Sequence, residues 1–467
     1  MSTPRLRSIA VVLAVALLPI GVGAARGLAA NRALYAPLTA AEAGPATAAA
    51  PSQAHDPDKP TAVVVVGANG AEVSDVLAPF EVMATTDAFN VYTVAPERRP
   101  LPLTGGLHLV PHLTFDQLDA RLGTGSAADV VVVPALPDVD EPSTAPVTAW
   151  LRRQADDGAL MVGVCSGARV LASAGLLDGR PATTHWARID DTQDAYPDTT
   201  WVRGTRYVDT GNVITTGGLL SNIDGTLRAI ERLIGPDTAR RAAEAVGWRH
   251  YSPGAPASIP ALTLGPDAVL KPLNAAYRFG NTGVMLTDGV GELELASVFD
   301  THSGQSFATR TVAVATSDDP VTSRHGLTFV PTSDLHTVGD DLDRLIVPGA
   351  QAARQRDPDL AAHARNEHGL TPAYLHTRPG FPYDAALRDL ARTADVPTAR
   401  WTAKVLEYPA NDLHLTGPAW PWAITWPALL LALAGLAVAA AVTRIPRHRR
   451  GRPTTLPTKR GRDLTAV

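Results

Sequence analysis

At 467 residues, the chain is long enough for two to three domains of roughly 150 residues each, and its 45% hydrophobic and 19% charged content is ordinary for globular protein. The formal net charge of −5 is modest for this size and gives no sign of a nucleic-acid partner. A single cysteine excludes an intramolecular disulfide, so stability must come from packing.

In chain order, Arg5 and Arg7 precede an apolar run over 9–25 that is interrupted by Pro19 and two glycines. This is a signal-peptide pattern, in which Val22, Ala24 and Ala25 could serve a signal peptidase, although an uncleaved anchor is equally open. Residues 1–30 are read as signal peptide or anchor. Residues 31–60, rich in Ala, Pro and Ser, are read as a flexible linker.

From 61 to 252, β-branched runs at 62–66, 89–94, 129–133 and 160–164 read as buried strands. Helical patterns cover 75–86, 146–157, 167–174, 224–233 and 236–245. Continuous apolar strands separated by amphipathic helices predict an α/β fold, with a mainly parallel sheet sandwiched by helices. Ligands in such folds bind outside the carboxyl ends of the strands. The "GANG" at 67–70 lacks the glycine spacing of a dinucleotide loop and reads as a strand-to-helix turn.

Residues 160–174 read LMVGVCSGARVLASA, a buried strand running straight into a helix. This is a nucleophile elbow in cysteine form, where Gly163 and Gly167 relieve crowding beside Cys165. A helix N-terminus favours a thiolate, and the Ser166 N–H is a natural oxyanion donor. The alternative is a small buried core cysteine.

The stretch GVCSGARVLASAGLLDGRPATTHW, 163–186, resembles the elbow of the ThiJ/PfpI superfamily, within the class I glutamine amidotransferase-like, flavodoxin-like fold. It is most similar to the subgroup containing isonitrile hydratase and the ligand domains of AraC-type regulators. The likeness covers 61 to about 251 and implies that His185, in TTHW, and Asp75, in SDVLAPFEV, accompany Cys165. On that resemblance Asp75 contacts the thiol and shuttles a proton. From its position alone it could equally cap a helix. His185 would orient or activate the thiolate, or else lie idle on the surface. Glu81 either approaches the pocket or is solvated.

Relatives commonly place a Pro-Gly-Gly turn after the strand that ends here at Val133, and its backbone N–H completes an oxyanion hole. This chain has Pro134, Ala135 and Leu136 instead, putting the Ala135 donor in question. Loss of one such donor costs on the order of 10² to 10³ in rate. Ser166 replaces the histidine of the intracellular-protease branch, which argues against peptidase activity.

A second copy of the pattern follows a linker at 253–280. DVLAPFEV at 75 resembles ELASVFDT at 294, GLHLVP at 106 resembles GLTFVP at 326, and DVVVVP at 129 resembles DRLIVP at 343. DGTLRAIERLIGPDTAR at 224 then resembles DAALRDLARTADVPTAR at 384. Roughly 55–60 residues, those carrying the elbow, are missing from this second domain, read as 281–415. Its histidines His302, His325, His336, His363, His368 and His376 show no metal-ligand spacing and are expected at the surface, so no metal or cofactor is expected.

Residues 420–443 are uncharged and largely apolar, with Trp420, Trp422 and Trp426 at one end and Arg444, Arg447, Arg449 and Arg450 beyond the other. This predicts a transmembrane helix, with 444–467 as a basic cytoplasmic tail and the folded domains extracytoplasmic, in a single- or double-pass arrangement. The expected function is that of a membrane-anchored, cysteine-dependent hydratase or hydrolase acting on a small electrophile. The alternative is a non-catalytic ligand- or redox-sensing module. Expected partners are a small-molecule ligand and the lipid bilayer, with no nucleic acid, and a homodimer is left open by analogy.

Overall fold

The computed structural model describes residues 21–39, 54–123, 125–278 and 280–444. The chain divides into a large unit, 22–427, and a small one made of the residues up to 21 together with 428–467.

The first half of the large unit is built on strands β1 (Thr61–Val65), β2 (Asn90–Ala95), β3 (Leu101–Leu103), β4 (Leu107–Val110), β5 (Leu113–Thr114), β6 (Val130–Val133) and β7 (Leu160–Gly163). Two short strands, β8 (Pro181–Ala182) and β9 (Thr200–Trp201), pair with each other, and β10 (Tyr207–Asp209) and β11 (Val213–Thr216) complete the set. The main sheet runs β10-β11-β7-β6-β1-β2-β5 and is parallel except where β10 meets β11. Its centre is nearly all valine: β1 is TAVVV, β6 is VVVV, and every residue of both is buried. Such runs, apolar on both faces, suit a sheet covered by helices on both sides. The predicted strands and helices of this half stand within about three residues of their expected ends.

The second half contributes β12 (Asn281–Met285), β13 (Arg310–Ala315), β14 (Val321–Thr322), β15 (Thr328–Val330), β16 (Ser333–Asp334), β17 (Arg344–Val347) and β18 (Ala373–Tyr374). Its own parallel sheet runs β16-β13-β12-β17-β18. A third, antiparallel sheet, β14-β15-β4-β3, takes strands from both halves, pairing Phe329 with Leu109. The two halves therefore share backbone hydrogen bonds as well as side-chain packing.

The segments read as signal or anchor and as linkers are packed in part. Residues 21–33 are helical, Leu34 is buried, and on the far side Asp56 and Asn90 bond to each other through side chain and backbone. In the 253–280 stretch, Arg206 N–H donates to Ala257 and Ile259 N–H to Gly204, and residues Leu270–Tyr277 form a helix.

The C-terminal apolar run does form a helix, Trp422–Arg444, with Pro427 in its early part. Among the described residues, however, no helix is long and apolar enough to cross a membrane. That finding corrects the expected transmembrane helix at 420–443, the bilayer partner and the membrane-anchored, extracytoplasmic placement. The signal pattern over 1–20 and the basic tail over 445–467 lie outside the described residues.

Candidate active site

β7 delivers the chain to Cys165 at the carboxyl end of the parallel sheet, and the helix Gly167–Ser173 leaves from it. Cys165 has φ 53°, a left-handed conformation that costs a non-glycine residue about 1–3 kcal/mol. Its surroundings hold it there. The Val164 N–H donates to Val133 O at 2.9 Å, and the Gly167 N–H to Val164 O at 2.7 Å. The Cys165 N–H donates to Thr216 Oγ1 at 3.1 Å, while Thr184 Oγ1 donates to Cys165 O at 2.9 Å. The glycine requirement is one of contact: a Cβ on Gly167 would lie 1.9 Å from Val133 O, and one on Gly163 would lie 2.7 Å from Leu171 Cδ1.

Asp75 lies on the first turn of the helix Val73–Ala84, three residues after the capping position, which Glu72 occupies. It is fully buried and no cap. Its Oδ2 accepts the Ala135 N–H at 3.0 Å, while its carboxyl faces the Cys165 thiol and Asn222. Burial and the nearby Glu72 raise its pKa well above the carboxylate range. The Ala135 N–H expected to complete an oxyanion hole is thus already given to Asp75. The Ser166 N–H, by contrast, points at the Cys165 sulfur.

The thiol itself departs from the expected thiolate. Burial first, then the charges of Asp75 and Glu72, push its pKa well up, against the lowering by the Ser166 N–H. A seven-residue helix beside buried carboxyls does not outweigh desolvation.

His185 is buried with both ring nitrogens committed. Nδ1 accepts the Ala187 N–H at 3.2 Å, so the proton sits on Nε2, which donates to Val405 O at 2.9 Å. Burial lowers its pKa to about 4, keeping it neutral. It stands in the cleft wall as a staple to the second half, and neither nitrogen is left to activate the thiol. Glu81 is neither solvated nor in the cleft: it is buried and accepts the Leu293 N–H at 2.6 Å, capping the helix Glu292–Phe299 of the second half.

Several residues at the site escape sequence reasoning. Glu72 accepts from Thr104 Oγ1 at 2.7 Å and from Gln305 Nε2 at 3.1 Å. Asp300, at the end of the second half's helix, brings its carboxyl near Glu72 and accepts from Tyr383 at 2.6 Å. Burial and Glu72 raise its pKa well up. Tyr35, from the segment read as a linker, brings its phenol beside Glu72, Asp75 and Cys165. Lys271 donates to Gly304 O at 2.8 Å, and burial lowers its pKa to about 8. Only the repeat of DVLAPFEV at 294 carried any hint, since it puts Asp300 at the position of Glu81.

These groups surround a cleft of about 760 Å³, with Cys165, Glu72 and His185 from the first half, Lys271 and Gln305 from further on, and Tyr35 from the N-terminal side. A small, largely uncharged molecule could meet a thiol, a proton-bearing carboxyl and one buried amine there.

The profile of the DJ-1/PfpI family matches residues 61–231. The chain is 34% identical to an isonitrile hydratase of Pseudomonas putida, over 36% of this chain and 69% of that protein. It is 32% identical to an HTH-type transcriptional regulator of Pseudomonas aeruginosa, over 32% of this chain and 41% of that one. It also resembles the crystal structure of a DJ-1 superfamily protein from Salmonella typhimurium, with 26% identity and a TM-score of 0.35, covering 41% of this chain and 99% of that one. With an HTH-type regulator among the relatives, the expected absence of a nucleic-acid partner gains no support from these likenesses.

Proposed function

Because this chain belongs to the DJ-1/PfpI family, we propose that its first domain, 61–252, is a cysteine-dependent hydratase or hydrolase for a small electrophile with a carbon–heteroatom multiple bond, isonitriles included. The observation that carries the reading is the pairing of Cys165, on its left-handed elbow in the cleft wall, with the fully buried Asp75 behind it, whose carboxyl burial raises well above its usual range. In this scheme Sγ bonds to the substrate carbon while the thiol proton moves through Asp75 to the substrate. Water then adds to that carbon, the C–S bond breaks, and the proton returns to sulfur. One water is consumed and nothing is oxidised. A neutral thiol beside a neutral carboxyl suits this addition, because the proton is already where the substrate needs it.

The test is turnover of small isonitriles, nitriles and amides by the whole chain, its Cys165→Ser variant and its Asp75→Asn variant. Turnover confined to the unmodified chain is expected, and equal activity in Cys165→Ser ends the proposal.

A second reading rests on one observation, that the Ala135 N–H is spent on Asp75. With only Ser166 to stabilise an oxyanion, the cleft could hold a ligand without turning it over. Saturable binding of the same molecules without product would favour this sensing role. The raised thiol pKa argues against oxidation as its signal.

The reading also assigns 281–415 as a degenerate second copy that lacks the elbow. Three observations support it. The two parallel sheets follow corresponding orders, the similar segments at 106 and 326 pair through Leu109 and Phe329, and the similar helices Val73–Ala84 and Glu292–Phe299 exchange carboxylates. Glu81 reaches into the second half just as Asp300 reaches into the first.

A further inference from the structure

Four side chains of the second half, none of them near Cys165 in the chain, converge at one place: His336, on the short helix Leu335–Val338, and His363, Glu367 and His368, on the helix Pro358–His368. One donor atom from each lies within 4.8 Å of those of the others. His363 and Glu367 are one turn apart, so they share a helix face. Glu367 stands between two imidazoles, 3.2 Å from His336 Nδ1 and 3.1 Å from His363 Nδ1.

His368 supplies the decisive detail. Its Nδ1 lies 2.8 Å from Asp340 Oδ1, and a carboxylate can only accept, so Nδ1 carries a proton and Nε2 is the nitrogen left to serve as a ligand in the neutral ring. The side chain is 5% exposed, and Nε2 finds no hydrogen-bond partner among the described residues. A buried acceptor left without a donor is costly. A carboxylate holding one ring nitrogen so that the other faces outward is how metal-bound histidines are oriented.

The geometry points to a divalent-metal site of three imidazoles and one carboxylate, with zinc as the ion whose ligand preferences it fits best. A tetrahedral zinc ion needs its donors about 3.3 Å apart, given Zn–N distances of about 2.0–2.1 Å. His336 and Glu367, with 79% and 47% of their side chains exposed, are free to close that gap. Four protein ligands make a closed, structural site, one that ties the 335–338 helix beside β16 to the helix covering β17. The other cluster of this kind, Glu81, Glu292 and His325, fits a metal less well. Its carboxylates already accept from the Leu293 N–H and the Ser323 hydroxyl, and Arg324 supplies the cation.

The test uses the untagged full chain, stripped of metal and titrated with zinc chloride against a chromophoric chelator, with metal content and melting temperature measured alongside. One zinc per chain is expected, with a rise in melting temperature. Affinity should fall at least tenfold in His336→Ala and in His363→Ala, and roughly 10- to 100-fold in Asp340→Asn, where only the orienting partner of His368 changes. Asp340 is 85% exposed, so that variant keeps the fold. Cys165→Ser should bind as the unmodified chain does. Failure to bind zinc stoichiometrically, or unchanged binding in His336→Ala and His363→Ala, overturns the site.

Discussion

At Cys165 opposing effects can be ranked. The Ser166 N–H favours the thiolate, while burial and the carboxyls of Asp75 and Glu72 disfavour it, and the second group wins. Alkylation by iodoacetamide should therefore reach half its limiting rate only well above the ordinary thiol range. Burial raises the Asp75 carboxyl well above its usual range, and its charge is one of those that oppose the thiolate, so the two ionisations compete. Asp75→Asn removes that competition and should speed alkylation at mildly alkaline pH by roughly tenfold, since one pKa unit is about 1.4 kcal/mol. An unchanged rate profile would show that the two groups are not coupled. His185 permits a second test by pH. Its folded pKa of about 4 lies below the ordinary 6.5, so the unfolded chain binds the extra proton first. The stabilisation is complete above 6.5 and drains away as pH falls towards 4, a loss of about 3 kcal/mol. His112, also lowered to about 4 by burial, adds a similar slope. Urea midpoints measured from pH 7 to pH 4 should fall less steeply in His185→Gln than in the unmodified chain, and parallel curves would refute the assignment.

At the scale of elements, the elbow was legible because everything that makes it is local. A valine-rich strand, a Gly-x-Cys-x-Gly turn and a short helix lie within 160–174, and the packing of Gly167 onto Val133 O explains why that spacing has no slack. Gly167→Ala should cost about 3 kcal/mol or prevent folding, because backbone rather than a flexible side chain meets the added methyl. A denaturation midpoint within 0.5 kcal/mol of the unmodified chain's, as an order of magnitude for an ordinary surface change, would contradict that packing. Asp75 was legible only through family resemblance. Glu72, Asp300 and Tyr35 were not, because they come together from three separate parts of the chain, and no local period records tertiary approach. The histidines read as surface residues fared likewise: His302 and His376 are buried, the former against Asp389 at 3.0 Å. The N-terminal segment looked like tether by composition, yet Tyr35 sits against the acidic floor of the cleft. Tyr35→Ala should open the cleft and raise the alkylation rate of Cys165 several-fold at constant pH, and an unaltered rate would place the phenol outside the path to the sulfur.

Across the whole large unit, the thiol's environment is assembled from both halves, and this has a consequence for unfolding. Asp300 and Gln305 reach Glu72, Val405 O holds His185, and Glu407 accepts from Ser221 at 2.6 Å. The β15–β4 pairing adds shared backbone bonds. Phe299, fully buried on the second half's helix, packs within van der Waals reach of Gly105 in the first. Two halves joined in this way should unfold together, since releasing either one exposes buried carboxyls and apolar faces on the other. Phe299→Ala tests the point because it lies in the half without the elbow. Truncating a buried phenylalanine costs about 3–5 kcal/mol, which should appear as a lower urea midpoint for tryptophan fluorescence. If the halves are one cooperative unit, trapping of Cys165 by a thiol reagent must shift to the same lower midpoint, although Phe299 belongs to the other half. If the first half holds its own fold, fluorescence will show two transitions and the Cys165 trapping curve will stay where it was in the unmodified chain.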